Sequence, residues 1–188
     1  MTLMRTNMRK LSLCLVVATL LLTGGGWVFP WENEPPPGIP GDFVTGGGFI
    51  FCTPSGARGN FGVGGGVKNG AFWGHLNYLD HGLGLHVTGT EVTDYQFIDD
   101  RTRDICGTAT TNLGGNVCYH VRVTDNGEPG KEDIFGIRLS DCNGNVLYQA
   151  GPCDLGAPGS GEPGGGNIQL HKGNKSNTPP ATPGECRA

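Results

Sequence analysis

The chain has 188 residues, 36% of them hydrophobic, and a formal net charge of −4, enough for one domain with a core and hardly for two. Glycine occupies 35 positions and proline 13, about a quarter of the chain, which excludes a helix bundle because these are the poorest helix formers. Aromatic and β-branched residues alternate through the middle, so the composition points to short strands joined by glycine-rich turns rather than to disorder.

Residues 1–26 read as an export signal, with an uncleaved N-terminal anchor as the alternative. Arg5, Arg9 and Lys10 precede the apolar run Leu11 to Leu22, and Gly24, Gly25 and Gly26 supply small residues for cleavage. Cys14 follows Leu13 where a lipoprotein signal would want a small residue, and it lies deep in the apolar run. Losing the signal removes three basic residues and no acid, leaving 10 Lys and Arg against 17 Asp and Glu, a net charge of −7. An acidic exported chain has no electrostatic footprint for nucleic acid or an anionic membrane surface. Residues 27–41 form a proline-rich linker and residues 173–188 a polar tail, both expected to be disordered, the tail held only through Cys186.

Residues 42–172 form one β-domain in this reading. Strands are predicted at Phe43–Cys52, Gly59–Val67, Ala71–Leu79, Leu85–Val92, Cys106–Thr111, Val117–Thr124, Ile134–Ser140, Val146–Gln149 and Asn167–His171. The clearest is Val117–Thr124, where Val117, Tyr119, Val121 and Val123 alternate with Cys118, His120, Arg122 and Thr124. Asn69-Gly70, Gly114-Gly115, Asn126-Gly127 and Asn143-Gly144 mark turns between strands. The fold class is all-β, an antiparallel sandwich or flattened barrel of about 8–9 strands. Its predicted core is Phe49, Phe61, Val63, Leu76, Tyr78, Val87, Tyr119, Val121, Val123, Phe135, Ile137, Leu139 and Ile168.

Six cysteines lie outside the signal: Cys52, Cys106, Cys118, Cys142, Cys153 and Cys186. An even number in an exported chain reads as three disulfides in an oxidising compartment. Sequence proximity favours Cys106–Cys118 and Cys142–Cys153, leaving Cys52 with Cys186; the alternative joins Cys142 or Cys153 to a distant cysteine. No C-x-x-C pair occurs to support a zinc knuckle or a redox site.

The segments F-V-T-G-G-G-F-I (43–50), A-R-G-N-F-G-V (57–63), G-H-L-N-Y-L-D-H (74–81), H-V-T-G-T-E-V-T (86–93), V-T-D-N-G-E-P-G-K-E-D-I-F (123–135) and G-G-G-N-I-Q-L-H (164–171) resemble the post-COAP type β-domain of bacterial exported proteins. The resemblance implies an all-β fold and export to the surface or medium, and nothing about chemistry. The six cysteines and the insert Gln149–Pro163 depart from the pattern.

Candidate chemistry is sparse. Asp125, Glu128 and Asp133 in the turn 125–133 could enclose calcium, a hard cation that takes six to eight oxygens. The competing reading is a hairpin connection built from turn formers. Asp141-Cys142-Asn143-Gly144-Asn145 reads as a turn. His75 and His81 with Asp80 or His86 could ligate zinc, against an Asp80–His81 hydrogen bond closing a turn. Ser55, Ser140, Ser160 and Ser176 lack a nucleophile elbow, and Asp99-Asp100 are adjacent loop carboxylates rather than a glycosidase pair. Gly64-Gly65-Gly66 reads as close strand packing rather than a phosphate loop. Phe72, Trp73, Tyr78, Tyr95 and Phe97 could stack on sugars or fill the core. The expected role is that of a non-catalytic secreted or cell-surface β-domain contacting a protein or glycan of the cell envelope. The alternative is a carbohydrate or small-ligand binding module, with a hydrolase third.

Overall fold

The computed structural model describes residues 41–159, 162–178 and 186. Residues 1–26, read as an export signal, and almost all of the stretch 27–41 read as a linker lie outside these residues, as do Ser160 and most of the stretch 173–188. Nine strands follow in order: β1 Phe43–Ile50, β2 Gly59–Lys68, β3 Ala71–Asp80, β4 Leu85–Phe97, β5 Thr102–Thr111, β6 Asn116–Thr124, β7 Ile134–Ser140, β8 Val146–Asp154 and β9 Gly165–His171. All lie in one antiparallel sheet of order β8-β7-β6-β5-β4-β3-β2-β1-β9, curled into a half-barrel. A single curled sheet thus replaces the two-sheet sandwich that the strand pattern equally allowed.

The meander follows from local turn chemistry. Between β2 and β3, Asn69 and Gly70 have φ of 53° and 76°, the two left-handed residues that a tight hairpin matching strand twist requires. Two register shifts in β4 against β5, at Gly89/Glu91 and Val92/Asp94, are bulges that bend the strand and sharpen the curl. Gly65 packs against Ile105 and Gly66 against Phe43 so closely that a Cβ would approach each within 2.7 Å. The glycine run is therefore a close-packing device.

The concave side is filled. Phe61 of β2 stacks on Phe135 of β7 with centroids 3.9 Å apart, and Tyr78 and Tyr148 extend the cluster. Val63, Leu76, Val87, Tyr119, Val121, Val123, Ile137, Leu139 and Ile168 are buried around it, as their alternation demands. Phe49 is the exception. Val44 and Ile50 set the inward phase of β1, so Phe49 faces outward beneath the Arg58 guanidinium, 3.8 Å from its ring centroid.

Three disulfides are present, paired as Cys52–Cys153, Cys106–Cys186 and Cys118–Cys142. None of the proximity pairings forms. Cys106 lies opposite His120 and Cys118 opposite Thr108, a diagonal relation of about 7–8 Å that exceeds the span of a disulfide. Cys142 and Cys153 lie at opposite ends of the β7–β8 hairpin, whereas Cys118 ends beside the Cys142 turn, 4.9 Å away between Cα atoms. Cys52–Cys153 ties the β1–β2 connection to β8 across the opening of the half-barrel. The described part of the tail is held by more than Cys186. A 3-10 turn at Lys175–Asn177 follows the sheet, and the Asn69 and Gly70 N–H groups donate to the carbonyls of Ser176 and Thr178.

Candidate functional site

The acidic turn between β6 and β7 meets the free edge of β9. Because β9 pairs with β1 along one side only, alternate N–H groups on its other side need acceptors. Asp133, fully buried, takes the Ile168 N–H on one oxygen (2.7 Å) and the Asn126 N–H on the other (2.8 Å). Asp125 takes the Leu170 N–H (2.8 Å) and the Gly127 N–H (2.9 Å). Glu128 accepts from the Asn167 amide at 3.1 Å. The three proposed calcium ligands therefore serve as acceptors that cap an edge strand. Among the described residues, the set of three metal-type side chains whose ligand atoms lie within 4.8 Å of one another is Cys106, His120 and Cys186. The three acids of the turn do not form such a set. Cys106 and Cys186 are bonded to each other.

The histidine group on β3 and β4 is dispersed in the same way. Asp80 is fully buried. It accepts the Gly82 and Leu83 N–H groups at 2.9 and 3.2 Å, the Ser55 hydroxyl at 2.9 Å and the Tyr148 hydroxyl at 2.9 Å. It does close the turn, but through backbone donors instead of the imidazole expected. His81 bonds to Asn60, 3.0 Å from its Oδ1, while His75 and His86 are exposed on the outer face. Burial pushes the Tyr78 and Tyr148 hydroxyls above their ordinary titration range, so both remain neutral donors.

A second polar cluster lies on the outer face of β4, β5 and β6. Arg122 grips Asp104 through two 2.8 Å hydrogen bonds, and His120 Nε2 lies 2.8 Å from the same carboxylate. Burial alone would raise Asp104, but the Arg122 and His120 bonds outweigh it and hold the carboxyl below its usual range. Burial raises Asp94 beside it.

The remaining sequence candidates have structural places. Asp99 caps the Arg101 and Thr102 N–H groups, and Asp141 holds Asn143 and Asn145 in the β7–β8 turn. Tyr78 and Tyr95 are core, Phe72 packs against the core, and Phe97 lies under Arg103, with 4.7 Å between the guanidinium and the ring centroid. Trp73 alone of the five aromatics joins an outer-face group, tilted against Phe43 at 5.7 Å, with His171 stacked on Phe43 at 4.4 Å.

What sequence reasoning missed is a trough on that outer face. Cross-strand pairing aligns Asn167, Gly47, Gly62, Asn77 and Thr88 in one row across β9, β1, β2, β3 and β4. Next to it runs the row Phe49, Asn60, Leu79 and His86, and on the other side stand Thr45 and His75. Where the central row falls to glycine, the surface dips into a depression of about 320 Å³ lined by Asn60, Gly62, Asn77, Leu79, His86 and Thr88. No aspartate, glutamate, lysine or arginine lines it. The depression itself lies on β2, β3 and β4, and the row continues beyond it through Gly47 of β1 to Asn167 of β9.

Comparison with protein-family models, curated proteins and solved structures finds no match to this chain. The three disulfides are compatible with an oxidising, exported location, and no helix among the described residues is long and apolar enough to cross a membrane.

Proposed function

We propose that the protein is a non-catalytic β-module, exported to the cell surface or the medium, that acts by contact with a component of the cell envelope. One observation carries this reading: the buried carboxylates among the described residues, Asp80, Asp94, Asp104 and Asp133, all accept hydrogen bonds from donors of their own chain. A general acid or base needs an oxygen within reach of a substrate proton in a cleft, and these oxygens face turns, strand edges and neighbouring side chains. The apolar filling of the concave side removes the interior as a reaction chamber. The disulfides, the signal-like N-terminus and the likeness to post-COAP type domains support export.

The test has two arms. Labelled chain is added to washed cells of the producing organism, and saturable retention is expected. The same preparation is incubated with chromogenic glycoside, ester and peptide substrates, and no turnover is expected. Hydrolysis proportional to protein concentration and retained through further purification would overturn the reading, as would retention that never saturates.

A further inference from the structure

We propose that the trough on β2, β3 and β4, continued along its row by Gly47 of β1, is a binding site for a short, uncharged oligosaccharide. The proposal deepens the envelope-contact reading and rests on it for the biological source of the sugar.

The argument begins with two glycines that the fold does not need. Most strand glycines here are imposed by packing: a Cβ on Gly48 would meet the Gly165 carbonyl oxygen at 2.2 Å, one on Gly74 the Gly64 oxygen at 2.1 Å, and one on Gly46 the Ile168 side chain at 2.6 Å. Gly62 differs. Its backbone is not left-handed, and a Cβ there meets nothing within 4 Å. Its direct partner Gly47 would place a Cβ at ordinary contact distance, 3.5 Å from the Phe61 carbonyl oxygen. Glycine weakens a strand and is used where something must approach the backbone closely. At this pair nothing in the described chain makes that approach.

The lining specifies what would. Asn77 and Thr88 are exposed at one end of the row, and His86 is exposed beside them in the next row. Among the described residues their side-chain amide, hydroxyl and imidazole have no hydrogen-bond partner, apart from whatever solvent supplies. Asn60, held by Arg58 at 2.8 Å and by His81 at 3.0 Å, stands fixed on the wall, and Leu79 supplies an apolar patch beside it. Paired donors and acceptors without formal charge suit hydroxyl groups, and the bare peptide floor with Leu79 suits the C–H face of a sugar ring. No charged side chain lines the depression, and Arg58 beside it is engaged by Asn60 and the Phe49 ring, so a charged ligand finds no free counter-ion there; a peptide strand would find no free edge, since β1 to β4 are paired on both sides. From β1 to β4 the row spans about 14 Å at the usual strand spacing, room for a short oligosaccharide laid across the strands.

The test uses the exported chain, labelled with nitrogen-15, and three soluble probes: cellohexaose, mannohexaose and chitohexaose. At least one is expected to shift the amide signals of Gly47, Gly62, Asn77 and Thr88 in a saturable way. Gly62→Val fills the floor without touching the core. It is expected to melt no lower than wild type and to bind that probe at least about tenfold more weakly. Asn77→Ala, on an exposed side chain, gives the same direction of effect should the valine disturb pairing. The proposal is overturned if none of the probes shifts these amides at about 10 mM, or if folded Gly62→Val and Asn77→Ala bind as wild type does. The two readings separate on the cell assay. Folded Gly62→Val that is retained on cells like wild type overturns the trough and leaves envelope contact standing. Wild type that binds a probe at these amides but is not retained on cells upholds the trough and overturns envelope contact.

Discussion

Replacing Asp133 tests whether a carboxylate, instead of a metal ion or a neighbouring strand, seals the end of the sheet. Its two oxygens take the N–H groups of Ile168 and Asn126 at 2.7 and 2.8 Å, and its side chain is fully buried. Asp133→Ala leaves both donors without an acceptor, and Ile168 is itself only 1% exposed, so water does not replace the lost oxygen there without opening the edge. Hydrogen bonds to a charged group are worth about 1.5–3 kcal/mol each, and an orphaned buried donor about 1–3 kcal/mol. Allowing for partial relaxation at the half-buried Asn126 side, the expected loss is about 3–5 kcal/mol. For a domain of this size roughly 4 °C accompanies each kcal/mol, so the melting temperature should fall by about 10–20 °C. Asp133→Asn keeps one acceptor and turns an amide donor toward an N–H, and should lie between the two. Circular dichroism melts measure the loss, and hydrogen exchange locates it: protection at Ile168 and Leu170 should fall before that of β5 and β6. A drop below about 3 °C for Asp133→Ala, or a loss of protection that spares β9, refutes the reasoning.

Millimolar calcium should leave the melting temperature equal to that in chelator, in wild type and in Asp125→Ala, because the oxygens of Asp125 and Asp133 already face N–H donors; a rise of several degrees in wild type alone reinstates the ion. Peptide mapping without reduction should recover Cys52 with Cys153, Cys106 with Cys186 and Cys118 with Cys142. Opening Cys52–Cys153, 101 residues apart in sequence, should cost more than opening Cys118–Cys142, 24 apart, by about 1 kcal/mol in the chain-entropy model. Asp104, held below the carboxylate range, contributes stability above its unfolded value that is lost as pH falls through its folded one. Asp94, raised by burial, acts oppositely: its folded state holds a proton more tightly, so wild type loses stability as pH rises from the unfolded value through the folded one. Asp94→Asn should therefore gain stability relative to wild type between acid and neutral pH, and urea titrations at several pH values would expose a gap of the wrong sign.

The strands were legible because their signals are local. The alternation of Val117, Tyr119, Val121 and Val123, and the Asn69-Gly70 turn, need no information from elsewhere in the chain. The same locality explains the failures. The apolar character of Phe49 points to the core, but the inward phase of β1 is set by Val44 and Ile50, and a one-residue shift reverses every side chain. Distance along the chain favours Cys106–Cys118 and Cys142–Cys153, whereas diagonal register separates Cys106 from Cys118 and hairpin length separates Cys142 from Cys153. Composition marked the turn 125–133 as acidic but not what the acids face, because the N–H groups of Ile168 and Leu170 lie 35 and 45 positions away from their acceptors. The trough was invisible for the same reason. Gly62 looks like any of its neighbours in the run Gly62 to Gly66 until pairing places it between Gly47 and Asn77. The sequence by itself determined the strands, the turns and the all-β class, since each is encoded by residues within a few positions. Tertiary structure alone decided the single curled sheet, the disulfide partners, the carboxylate caps on β9 and the open glycine pair, since each depends on which strands become neighbours across the sheet.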